Sequence, residues 1–189
     1  LSQYQKVVDQ RNSLLRALRE QRSNGAAHPA AEDQLGFWDD QLVALGSQII
    51  AARLVFLRQL EVVARPLLAE LSSGVETLHL QYLPSFNPGN LSESEFAHLG
   101  NESFALEIAA SDAPLPDPET IAQHYRSRLR NRRARELDSG STLYGPHRDD
   151  FRFLVNGRDL RLYGSRGQQR SAALATKLAE VQVMRDRTG

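Results

Sequence analysis

Apolar residues at the start of the chain recur at helical spacing. Leu1, Tyr4, Val8, Leu15 and Leu18 fall at steps of three and four, with Arg11 interrupting the stripe, which predicts a helix over residues 1–22. Ser23-Asn24-Gly25 stops it, Gly25 being suited to a left-handed closing turn, and His28-Pro29-Ala30-Ala31 is predicted as loop. From Glu32 a second stripe runs through Leu35, Trp38, Leu42, Leu45, Ile49, Ala52, Phe56, Leu60, Val63 and Leu67. Its near-heptad spacing predicts a helix to Leu71, kinked at Pro66, with Trp38, Phe56 and the leucines as core. A loop this short predicts that the two helices pack antiparallel.

Past Ser72-Ser73-Gly74 the period changes to two, predicting a strand over 75–82. Pro84–Glu93 is loop, Phe104–Ala109 fits strand or helix, and Asp112–Pro118 with its three prolines is a linker. A helix is predicted from about Glu119 to Leu137, capped by Asp117 or Thr120 and ended by Asp138-Ser139-Gly140-Ser141. Phe151–Val155 reads as a strand, Asn156-Gly157 as a tight turn and Arg158–Tyr163 as the hairpin partner. Gly164–Gly167 is loop. The last helix runs from Gln168 to about Met184, with Ala172, Leu174, Ala175, Leu178, Ala179 and Val183 as its apolar face. The chain is thus α+β and mostly helical, with a long helical hairpin and a later β-hairpin, loop and helix.

The length of 189 residues allows one large domain or two small ones. No run of 18 apolar residues occurs, so no membrane span is expected. The absence of Cys excludes disulfides, thiolate chemistry and Cys-based metal sites, and fits a cytoplasmic protein. The start at Leu1 without Met reads as a piece of a longer protein. The zero net charge is unevenly spread. Residues 66–125 hold nine acidic groups and no Lys or Arg, whereas residues 126–189 hold fifteen basic against seven acidic groups. The last third is therefore the expected polyanion surface.

The most informative segment is Tyr163-Gly164-Ser165-Arg166-Gly167-Gln168-Gln169-Arg170. A Gly/Ser bend that opens a helix offers unpaired amides and a positive dipole end, suited to a phosphate. On local physics alone, an ordinary capped helix start after a hairpin is the favoured reading of the same residues. The segment is not a P-loop, since no G-x-x-x-x-G-K-[ST] is present, and no dinucleotide fingerprint occurs. Six arginines, Arg126, Arg128, Arg130, Arg132, Arg133 and Arg135, form two basic ridges on one predicted helix. They suit a phosphate backbone, or pairing with the acidic middle segment. Nothing points to sequence-specific base readout. His147, Arg148, Asp149 and Asp150 follow Pro146 and read as a structural turn, an interface or a nucleotide sensor; no metal is expected there. His79 and His98 stand alone.

Residues 163–175, Tyr-Gly-Ser-Arg-Gly-Gln-Gln-Arg-Ser-Ala-Ala-Leu-Ala, resemble the signature motif of the RecF family of bacterial recombination mediators, which are similar to the ABC-type ATPase heads of SMC proteins. Thr142–Asp150, with Gly145-Pro146-His147-Arg148-Asp149-Asp150, and Tyr4–Asn12 resemble two further stretches of that family. The resemblance implies a helical arm over 1–138 with a small β portion, and part of an ATPase head over 139–189. It implies that Ser165, Arg166, Gly167, Gln168 and Gln169 meet ATP held by a partner subunit, with Mg2+ held by parts not present here. Gly164 and Arg166 depart from the usual signature, standing where Leu and the first Gly are common. No residue is expected to be catalytic. Neither a Walker A loop nor a Walker B strand is found, so the chain alone is expected to be inactive, whereas the longer protein would be a weak ATPase. Implied partners are DNA at single-strand gaps, RecR, the RecA-loading pathway in the SOS response, and an ATP-dependent homodimer, with His147, Arg148 and Asp149 at an interface. No membrane partner is implied. Two other readings stay open: a coiled-coil interaction module without nucleotide, favoured by the seam over 35–67, and a DNA-binding protein acting through the arginine helix alone.

Overall fold

The computed structural model describes residues 2–23, 29–89, 105–107 and 114–188. Along the chain these form α1 (Ser2–Ser23), α2 (Pro29–Leu71), β1 (Leu78–Leu83), β2 (Leu106–Glu107), α3 (Pro118–Ser139), β3 (Asp150–Val155), β4 (Arg158–Asp159), α4 (Leu160–Tyr163) and α5 (Arg166–Thr188). The class is the expected one, mostly helical with a small antiparallel sheet of strand order β2-β1-β3-β4. The expected stop at Asn24-Gly25, His28, loop residues 90–93, His98, linker residues 112–113 and residues 104, 108 and 109 of the ambiguous segment lie outside the described residues. The chain divides into two compact units, both discontinuous in sequence: Leu1–Ala51 with Pro84–Glu102 and Pro116–Asp149, and Ala52–Leu83 with Ser103–Leu115 and Asp150–Gly189.

In the first unit α1 packs antiparallel to the start of α2, as expected. Leu15 and Leu18 cluster with Leu35, Arg11 meets Asp39, and Tyr4 lies against Gly46. Gly46 permits this approach, because an added Cβ would sit 2.8 Å from the Tyr125 ring and 3.3 Å from that of Tyr4. Helix α3 runs parallel to α1, with Tyr125 beside Tyr4 and Glu136 beside Arg11. Its start is set by Pro118, whose fixed φ suits the first helical turn. Asp117 is the cap and accepts from the Thr120 amide at 2.7 Å; that bond holds its pKa below the ordinary value. Its end is set by Gly140 at φ +65.

Two expectations for α2 are corrected. It begins at Pro29, not near Glu32, because proline is tolerated at a first helical position. It runs with Pro66 inside it to Leu71, the expected end. Its buried stripe also departs in part from the expected seam. Leu35, Leu42 and Leu60 of that seam are buried as expected, but the rest of the stripe lies mostly one position on, at Val43, Ser47, Ile50, Leu54, Leu57, Glu61, Ala64 and Leu68, whereas Ala52 is exposed and Trp38, Leu45, Ile49, Phe56, Val63 and Leu67 are only partly covered. Counting large apolar residues misplaces the stripe, since Gly46, Ser47, Glu61 and Ala64 occupy it. Within Asp33–Leu71 of α2 an 18-residue window reaches a mean hydropathy of 1.4, enough by length and composition alone to cross a membrane. This qualifies the expectation drawn from uninterrupted apolar runs, because a window can average as apolar while holding one or two charges.

In the second unit β1 pairs with β3 over six positions, from Leu78↔Val155 to Leu83↔Asp150. Leu78, Leu80 and Tyr82 point inward by strand alternation. The buried Glu61 carboxylate accepts from the Leu80 amide at 3.0 Å and pairs with Arg65 and His79, fixing α2 to the sheet. The Asn156-Gly157 turn forms as expected, both residues having positive φ. The expected strand over Arg158–Tyr163 is corrected: pairing stops at Asp159. There the carboxylate accepts from the Arg161 and Leu162 amides and starts the turn α4. The apolar face of α5 is also narrower than expected. Ala172, Ala175, Ala179 and Val183 are buried, but Leu174 and Leu178 are 50% and 48% exposed. The alanines form the close-packing face and the leucines flank it.

Candidate functional site

The bend between α4 and α5 is the loop singled out by sequence. The helix opens at Arg166, two residues before the expected Gln168. Ser165 is its cap. The Gln168 amide donates to Ser165 Oγ at 3.2 Å, and the Ser165 amide donates to Gln168 Oε1 at 2.9 Å, a reciprocal capping box. The first helical bond runs from the Gln169 amide to the Ser165 carbonyl at 2.9 Å. The Arg166 and Gly167 amides precede that bond and point along the positive end of a 23-residue helix. The Gln168 amide is therefore occupied, while the Ser165 hydroxyl keeps its proton free to donate. Gln169 stays within the protomer, its side-chain amide donating to the carbonyls of Leu160 and Gly164.

The two glycines of the bend differ in what requires them. At Gly164 an added Cβ would sit 2.5 Å from the Leu160 carbonyl oxygen, so the fold itself excludes a side chain. At Gly167 the nearest atom to an added Cβ would be Ser165 Oγ at 3.7 Å. The protomer leaves room there for a side chain. Gly167 thus lays backbone open to an approaching group without a structural need for it. Arg166 is exposed beside it.

The six arginines of α3 separate into two sets. Arg133 pairs with Asp39. Arg128 lies over the Tyr144 ring at 4.5 Å, and burial holds its pKa below the ordinary value. Arg126, Arg130, Arg132 and Arg135 are exposed. Arg126 approaches Asp40 only at 3.9 Å, and the other three have no ion pair among the described residues.

The turn at 145–149 is tied into the first unit. At Gly145, with φ +124, a side chain would overlap the Tyr125 and Tyr4 hydroxyls. His147 Nε2 lies 3.2 Å from the Thr142 carbonyl and Nδ1 lies 2.9 Å from the Tyr4 hydroxyl. Arg148 Nε donates to the same carbonyl, and Asp149 accepts from the Ser85 amide at 2.7 Å. The Tyr125 hydroxyl donates to the Tyr144 carbonyl at 2.6 Å; burial raises its pKa well above the ordinary value. Among the described residues no group of three His, Asp or Glu is placed to hold a metal.

Arg11 interrupts the apolar stripe of α1, yet it occupies a core position. It is fully buried, with Nε donating to Asp39 at 2.8 Å, Nη1 to Thr142 at 2.9 Å and Nη2 to Glu136 at 2.7 Å. Burial opposes its charge, but the two carboxylates outweigh that and hold its pKa above the ordinary value. Glu136 also accepts from the Leu143 amide at 2.8 Å, so one network joins three helices to the segment after α3. A charged residue at a stripe position was the available signal.

No protein-family model matches the chain. Among curated proteins it is 41% identical over 182 residues to the DNA replication and repair protein RecF of Heliobacterium modesticaldum, covering 96% of this chain and 40% of that protein. It is 37% identical to the protein of the same name from Bacillus subtilis, over 100% of this chain and 43% of that protein. Among solved structures it is similar to the recombination mediator protein RecF-ATPrS in the RecFOR pathway, with a TM-score of 0.76 and 32% identity over 100% of this chain and 42% of that one. It is equally similar to the RecF-ATP form, with a TM-score of 0.75. The chain spans about two fifths of the length of these relatives.

Proposed function

As the chain belongs to the RecF family, we propose that it forms part of an ATP-binding DNA replication and repair protein in which the bend at 163–169 closes the nucleotide site of a second copy. The observation that carries this reading is Gly167, an exposed glycine in the first turn of its helix where an added Cβ would meet only an ordinary contact, Ser165 Oγ at 3.7 Å. A terminal phosphate reaching that point meets the Arg166 and Gly167 amides, the Ser165 hydroxyl proton and the helix dipole, four donors or partial charges of one sign. Fixed donors of this kind stabilise the charge that develops in phosphoryl transfer. The Walker loops and the Mg2+ ligands belong to parts of the family outside this chain, so the chain contributes a surface and no primary nucleotide site. In this reading residues 139–189 are the head portion and residues 1–138 the arm.

The exposed Arg126, Arg130, Arg132 and Arg135 are the DNA-contacting cations in this reading, with Arg128 and Arg133 supporting the helix that bears them. Backbone contacts of this sort position a protein on DNA without reading its sequence. Action at single-strand gaps in the cytoplasm, partnership with RecR and RecA loading follow from the family resemblance. The turn at His147, Arg148 and Asp149 is proposed as a rigid interface element.

The test is the size of a full-length RecF-family protein carrying this chain, measured by light scattering with and without a non-hydrolysable ATP analogue. Wild type assembles into dimers with the analogue, and Gly167→Asp does not, because a carboxylate at 167 repels the incoming phosphate. Unchanged assembly of Gly167→Asp would reject the role given to the bend.

A further inference from the structure

A cavity of about 370 Å3 opens beside the same bend, lined by Val155, Asn156, Arg158, Leu160, Tyr163, Gly164 and Gln168. That volume is within the range of small-ligand pockets. The buried Val155 and Leu160 form its apolar floor. The chain brings its polar groups there by two tight devices. The Asn156-Gly157 turn sets Arg158 opposite Val155, and the Asp159 cap folds Leu160–Tyr163 back so that Tyr163 and Gly164 return to the same space.

The free side chains in this cavity are rich in donors. Asn156 is spent: its side chain accepts from the Thr77 amide and donates to the Val75 carbonyl. Asp159, the neighbouring carboxylate, is turned to the α4 amides. Gln168 has its oxygen engaged with the Ser165 amide, which leaves its two N–H groups available. Tyr163 is 71% exposed, and the exposed Arg158 has no ion pair or side-chain hydrogen bond among the described residues. A guanidinium, a phenol hydroxyl and a primary amide therefore line one space, with no carboxylate among the lining residues to answer the cation. Such a set selects an anion rich in acceptor oxygens, and the planar fork of arginine matches a phosphoryl group.

We propose that this cavity is a phosphate subsite with Arg158 as its cation, extending the contact of this chain with the nucleotide beyond the signature bend. The inference rests on the reading that the bend meets a nucleotide held by a second copy. Arg158 then touches phosphate oxygens further along the polyphosphate chain, with Gln168 bridging the two places: its backbone caps the bend and its side-chain amide lines the cavity.

The experiment measures the ATP concentration for half-maximal dimerisation of the full-length protein carrying Arg158→Ala, Arg158→Lys or Gly167→Asp, with thermal melting as the check on folding. Affinity for a duplex oligonucleotide without nucleotide is measured in parallel. Arg158→Ala is expected to raise the midpoint about tenfold or more, the worth of a charge-assisted bond, and Arg158→Lys to recover part of it. An unchanged midpoint for Arg158→Ala, with assembly still blocked by Gly167→Asp, overturns the subsite and leaves the function of the bend standing. Normal assembly of both variants overturns the function and the subsite together. Loss of duplex affinity by Arg158→Ala at an unchanged ATP midpoint assigns the phosphate to DNA and overturns the nucleotide assignment.

Discussion

Arg11 Nη2 donates to Glu136 Oε2 at 2.7 Å, with both side chains wholly buried. Two helices far apart in sequence are joined by a charge that neither water nor a surface counterion can reach. Removing one member leaves the other as an uncompensated buried charge, which costs about 3–5 kcal/mol. Arg11→Met is therefore expected to lower the urea unfolding free energy by that order. The double variant Arg11→Met/Glu136→Leu should regain part of it, because no carboxylate is then stranded at that position. A double variant less stable than the sum of the two singles would contradict this account.

Two glycines of α2 carry opposite expectations. Gly46→Ala places a methyl 2.8 Å from the Tyr125 ring and should cost about 1–3 kcal/mol through overpacking. Gly36, in the same helix, has nothing within 4 Å of an added Cβ, so Gly36→Ala should stabilise by up to about 1 kcal/mol. Thermal melts of the two variants should move in opposite directions.

Much of the fold was readable because it follows local rules. Asp117, Gly140 and Asn156-Gly157 mark ends and turns by their own backbone preferences, and each lies where the sequence places it. The buried stripe of α2 was readable from apolar periodicity only in part, at Leu35, Leu42 and Leu60, since Gly46 and Glu61 are inside for reasons of approach and hydrogen bonding that depend on Tyr4, Tyr125 and Leu80. Arg158–Tyr163 reads as a strand by residue type, but the Asp159 side chain captures two amides and turns the chain. The bend at 163–169 was legible as a phosphate-type loop. That Gly164 is needed by the fold and Gly167 is not required three dimensions.

Asp117 gives the first unit an acid-sensitive helix start. Its carboxylate is favoured in the folded state by the Thr120 amide, so its folded pKa lies below the unfolded value of about 3.9. This stabilisation is complete above the unfolded pKa and is lost as the pH falls through the folded one. Asp117→Asn should therefore flatten the stability profile in that acid window and change it little at neutral pH, as followed by circular dichroism across an acid titration.

The arginine helix divides its work between support and contact. Replacing Arg130, Arg132 and Arg135 together by Gln should reduce the slope of log affinity for duplex DNA against log salt by about 2–3 and leave melting nearly unchanged. Replacing Arg133 should instead lower stability, because Asp39 loses one of its two cations. A salt slope unmoved by the triple change would exclude this face from DNA contact.

The central claim is that the bare backbone at Gly167 meets the terminal phosphate of a nucleotide carried by another copy. Photo-crosslinking tests it most directly, using ATP with a photoreactive group on its γ-phosphate and two full-length copies of distinguishable mass. The account predicts that, under dimer-forming conditions, the label is carried by the peptide containing Ser165, Arg166 and Gly167, on the copy opposite the one that holds the nucleotide. Label confined to the nucleotide-holding copy in assembled protein, with none on that peptide, would contradict it.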